Sequence, residues 1–74
     1  MKNVKRIPLQ KLLWCKIRYY QQLYCMSDEL LSETLGVTER TLKAYDKDAG
    51  NVTLEKVDNF LQATNLMIQE LTAQ

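Results

Sequence analysis

Apolar positions along the 74-residue chain recur at steps of three and four, the period of helices that bury one side. Leu9, Leu13, Ile17, Tyr20 and Tyr24 form the first stripe, and Leu12, Cys15, Tyr19 and Leu23 widen it. Most of this stripe is expected in the core of a helix over 8–24, with Pro8 in its first turn, where a missing amide hydrogen costs nothing. Trp14 falls off the stripe, on the face of Lys11 and Arg18. Its indole is expected under the cationic stems, beneath the C-terminal helix, or in a partner's surface.

The next apolar positions are arranged as a pair of short segments. Ser27 and Thr38 are N-cap residue types, each ahead of an amphipathic run, and Gly36 stands where the first run must stop. Leu31 and Leu35 share one face, Val37 follows the turn, and Leu42 and Tyr45 lie three apart on the second run. These five side chains can close on one another, which predicts a helix-turn-helix over 27–46.

Gly50 and Asn51 then mark a turn. The preceding acidic run from Asp46 is no calcium loop, since it has no glycine in sixth place and Val57 in twelfth. Thr53 caps a predicted helix over 53–63 with Leu54, Val57, Phe60 and Leu61 inward, and Asn65 opens a short one over 65–72 bearing Leu66, Met67, Ile68 and Leu71. The fold class is therefore all-α, a compact four- to five-helix bundle in a single domain. The last four apolar residues exceed what a small core covers, so they are expected to pack on Trp14 and the first helix or to form a symmetric homodimer. With Trp14 and Leu30, which repeats the apolar character of neighbouring Leu31, they make the expected partner or dimer surface.

Composition narrows the function classes. A hydrophobic share of 46% with 26% charged residues is globular, not disordered. There is no histidine, and the two cysteines, ten positions apart on one helix, would be separated by roughly 15 Å. No zinc site, other metal or cofactor is expected, and Cys15 and Cys25 are expected to be buried thiols in a reducing cytoplasm. No nucleophile stands beside a base, so an enzyme is not expected. No uncharged apolar run reaches membrane-spanning length and the start lacks a signal-peptide core, so a cytoplasmic protein is expected.

The net charge of +1 conceals an asymmetry. Lys2, Lys5, Arg6, Lys11, Lys16 and Arg18 all precede residue 26 with no acidic residue among them, whereas four basic residues face nine acidic ones afterwards. A nucleic-acid footprint must lean on the basic third. In the second segment of the pair, Arg40, Lys43 and Lys47 nevertheless line the side opposite Leu42 and Tyr45.

Taken in order, Ser27, Leu31, Leu35-Gly36-Val37-Thr38, Thr41-Leu42, Tyr45-Asp46, Asn51 and Thr53-Leu54 resemble the Cro and lambda-repressor-like (Xre family) helix-turn-helix regulators of phages and bacteria. The resemblance covers a little over a third of the chain. It departs from the family pattern at Asp28, Ser32, Asp48 and Val52, where Gln, Ala, Gly and Pro are usual. It implies a lambda-repressor-like DNA-binding domain and a side chain at 28 that faces the DNA, so a carboxylate there would meet phosphate.

The resemblance implies a sequence-specific transcriptional regulator that reads double-stranded DNA as a dimer, with its second short helix in the major groove. Thr38, Glu39, Arg40, Lys43 and Ala44 are the candidate base-contacting residues; Lys2, Lys5 and Arg6 of a basic arm over 1–7, with Lys47, Asn51 and Thr53, are the candidate phosphate contacts. The alternative class is a helix-turn-helix kept for protein contact, like the small phage antirepressors that bind a repressor. Asp28, Glu39, the acidity after residue 26, Leu30 and Trp14 favour it.

Overall fold

The computed structural model describes residues 7–72, and the arm residues Lys2, Lys5 and Arg6 lie outside that range. Five α-helices form a small bundle: α1 Leu9–Leu23, α2 Asp28–Leu35, α3 Glu39–Lys47, α4 Leu54–Thr64 and α5 Ile68–Thr72, with a 3-10 turn Ala49–Asn51 between α3 and α4. The described residues contain no strand.

Cap chemistry sets the helix ends. The hydroxyls of Ser27, Thr38 and Thr53 accept from the amides of Leu30, Thr41 and Lys56 at 3.1, 3.1 and 3.4 Å, each satisfying an otherwise orphaned donor. Gly36 ends α2 at φ 78°, and its amide and that of Val37 return to the Ser32 carbonyl, both at 2.9 Å. Pro8 sits just ahead of α1 in an extended conformation, and its carbonyl accepts the Leu12 amide at 3.0 Å.

Asn65 does not open the last helix. It closes α4 in the left-handed region at φ 63°, a conformation asparagine tolerates better than most residues. The last helix starts only at Ile68, where the Met67 amide donates to the Glu70 carboxylate at 2.8 Å, one half of a capping box.

The core joins Leu13, Trp14 and Ile17 of α1 to Leu31 and Leu35 of α2, Leu42 and Tyr45 of α3, Val57 and Phe60 of α4, and Leu71 of α5. Compared with the sequence stripe, the inward face of α1 is rotated by roughly 60° toward Trp14 and Gln21. Buried polar groups explain the rotation, because both can bond there. The Trp14 indole donates to Asp46 at 2.8 Å, and the Gln21 amide donates to Asp28 at 2.7 Å and to the Met26 carbonyl at 3.2 Å.

The rotation overturns several expectations. Leu9, Tyr19, Leu23 and Tyr24 are exposed, and so are Cys15 and Cys25, which were expected to be buried. Trp14 and Leu71 are core residues and leave the expected partner surface. Leu54 is 73% exposed instead of inward, because it stands at the first turn of α4 on the rim of a cleft shared with Leu9.

Candidate nucleic-acid interface

α2 and α3 are joined by a three-residue turn and interlock through Leu31, Leu35 and Leu42, all fully buried. Burying each leucine contributes about 1.5–3 kcal/mol, so this apolar seam fixes how α3 lies against α2. Ser32, also buried, suits a close approach of the two helices, and its hydroxyl is satisfied by the Glu29 carbonyl at 2.7 Å.

With Leu42 and Tyr45 turned inward, α3 presents Arg40, Lys43 and Lys47 outward, all exposed, flanked by exposed Thr38, Glu39 and Ala44. The Lys43 side chain is 72% exposed and its nearest carboxylate, Asp28, is 3.9 Å away, the far limit of an ion pair. Arg40 and Lys47 form no ion pair among the described residues. The ridge is thus uncovered and largely un-neutralised. Thr38 is partly engaged, since its hydroxyl holds the Thr41 amide and lies 3.0 Å from the Thr41 hydroxyl.

Asn51 and Thr53 are exposed at the approach to α4, so the structure places them at the surface beyond the end of α3. Of the expected partner surface, Leu30, Met67 and Ile68 are exposed and Leu66 is half-buried.

One group of residues escapes sequence reading. Arg18 of α1 donates through Nε and a terminal nitrogen to the two oxygens of Asp46, at 3.0 and 2.8 Å. Its other terminal nitrogen reaches Gln21 at 2.6 Å and Asp28 at 2.8 Å. Its guanidinium carbon also lies 5.3 Å from the centre of the Trp14 ring, which meets Tyr45 edge-on at 5.0 Å. One side chain thereby ties α1 to the start of α2 and the end of α3.

This clamp changes the meaning of Asp28. Its carboxylate is turned toward Gln21 and Arg18, whose hydrogen bonds, in that order of effect, hold its pKa below the usual carboxylate value. Asp46 is lowered in the same way, first by its bonds to Arg18, against partial desolvation, and then by the Trp14 indole. Two carboxylates, one guanidinium and the distant Lys43 ammonium balance in charge, so Asp28 does not stand as a bare anion beside the ridge. The only hint in the sequence is the four-residue step from Trp14 to Arg18, which names no acidic partner.

No family model matches the chain, and neither a curated protein nor a solved structure matches it. Among the described residues no helix is long and apolar enough to cross a membrane.

Proposed function

We propose that the chain is a lambda-repressor-like, sequence-specific DNA-binding regulator that lays α3 in the major groove. The observation that carries this reading is the exposed ridge of Arg40, Lys43 and Lys47 on the second helix of a tightly turned pair whose opposite face is locked in the core. Arginine at 40 suits bidentate bonding to guanine, lysine at 43 is long enough for base edges or phosphate, and the exposed Lys47, Asn51 and Thr53 are the proposed phosphate contacts. Neutralisation of Asp28 by Arg18 removes the repulsion a free carboxylate would bring to that approach.

Fluorescence anisotropy with labelled duplex over a series of salt concentrations tests the reading. Each engaged cation should contribute about −0.9 to the slope of log affinity against log salt. A flat slope, or no binding at low salt, refutes it. One observation favours a second reading, a module that binds another protein: Leu30 is half-exposed on α2. Association of that kind would be insensitive to salt and abolished by Leu30→Glu.

A further inference from the structure

Asp28, the first residue of α2, keeps one oxygen unused beside the ridge of α3. Both of its short hydrogen bonds fall on Oδ1, which accepts from the Gln21 amide at 2.7 Å and from Arg18 at 2.8 Å. Gln21 is itself buried and also donates to the Met26 carbonyl at 3.2 Å, so these donors hold the carboxylate in one orientation. Among the described residues Oδ2 accepts no hydrogen bond, and the Lys43 ammonium stands 3.9 Å from it, beyond hydrogen-bond range. The Asp28 side chain is one-third exposed and that of Lys43 mostly exposed. An ordered acceptor and a solvent-exposed donor therefore stand side by side.

The chemistry of a duplex limits what Oδ2 can bond. A carboxylate only accepts, and so do phosphate oxygens, so Asp28 makes no hydrogen bond to the DNA backbone. In the major groove the donors are the amino groups of cytosine and adenine. Adenine's amino group lies between two acceptors, its own N7 and thymine O4, and both repel a carboxylate. Cytosine's has a single acceptor beside it, guanine O6, about 2.9 Å away across the base pair. An ammonium on that oxygen leaves the amino group to a carboxylate, and the two side chains balance in charge. We infer that Asp28 and Lys43 together read one G·C pair, Oδ2 of Asp28 accepting from the cytosine amino group and Lys43 donating to guanine O6. This gives a residue of α2 a sequence-determining role, and it rests on the reading that α3 lies in the major groove. Arg18 and Gln21 act through Asp28 as positioning residues.

Duplexes enriched from a random pool supply the probe, and anisotropy the affinities. Asp28→Asn keeps an oxygen for Arg18 and Gln21 but turns an amide donor toward the cytosine donor. Its affinity for the enriched duplex should fall on the order of tenfold. Affinity for random duplex should rise, because one negative charge is gone from the DNA-facing side. A variant that binds both duplexes more tightly, or both unchanged, overturns the inference. A second measurement leaves the protein untouched. Cytosines of the enriched duplex are replaced one at a time by N4-methylcytosine, which still pairs with guanine but lacks the major-groove N–H. One position should cost the parent protein on the order of tenfold and cost Asp28→Asn nothing further. If Asp28→Asn weakens both duplexes through a disturbed fold, this scan decides, and a parent protein indifferent to every replacement overturns the inference. A pool that never converges defeats the reading of α3 itself, whereas a converged pool with no sensitive cytosine defeats only the role of Asp28.

Discussion

Replacing Arg18 with methionine isolates what the clamp contributes, since methionine keeps an aliphatic stem over Trp14 while removing every donor. Buried hydrogen bonds to charged groups contribute about 1.5–3 kcal/mol, and exposed ion pairs well under about 1 kcal/mol. The Arg18 side chain is 24% exposed, and its partners Asp28 and Asp46 are 33% and 45% exposed, so screening discounts the upper figure. The variant should lose about 2 kcal/mol, a fall in Tm of about 8–16 °C for a domain of this size. The pH dependence supplies a second signature. Asp28 and Asp46 titrate below their unfolded values, so the unfolded chain binds more protons. Their contribution is present above about pH 4 and is lost as the pH falls through the lowered native values. Without Arg18 the shifts shrink and the two carboxylates repel, so the variant should lose less stability on acidification than the parent. Urea unfolding followed by circular dichroism, near neutrality and at about pH 3, measures both effects. A loss under about 0.5 kcal/mol, the range of an ordinary surface substitution, with the same pH slope in both proteins, would refute the clamp.

Two further outcomes follow from the geometry. Gly36→Ala meets no steric obstacle, the nearest atom to the added methyl being the Lys56 ammonium nitrogen at 4.0 Å; with φ at 78° it should still cost about 1–2 kcal/mol through backbone strain alone. Thermal melts measure this, and an unchanged melt would contradict the left-handed turn. Both Cys15 and Cys25 are exposed, so a thiol reagent should label two groups in the native protein at rates close to those in denaturant; protection of either thiol would return it to the core.

Helix ends were readable from sequence wherever local chemistry sets them. Ser27, Thr38 and Thr53 cap as their residue types predict, and Gly36 supplies the left-handed stop. The face of α1 was not readable to the same degree. Periodicity weighs Tyr24 and Leu9 as core and Gln21 as surface, whereas burial follows which polar groups find partners, and those of Gln21 and Trp14 are 5 to 32 positions away. Asn65 was ambiguous for a related reason, since asparagine both opens helices and tolerates the left-handed close that it adopts here. For the candidate interface, the spacing of Arg40, Lys43 and Lys47 was sufficient to place them together on α3. The inward turn of Asp28 was not, because it depends on Arg18, ten residues away.

Selection of tight-binding duplexes from a random pool, followed by affinity measurement for Arg40→Ala on the selected and on random sequence, tests the proposed role of α3 most directly. The proposal predicts an enriched sequence on which the variant loses about 1–3 kcal/mol, with little change on random duplex. A pool that never converges, or a variant that binds the enriched sequence as tightly as the parent, would contradict it.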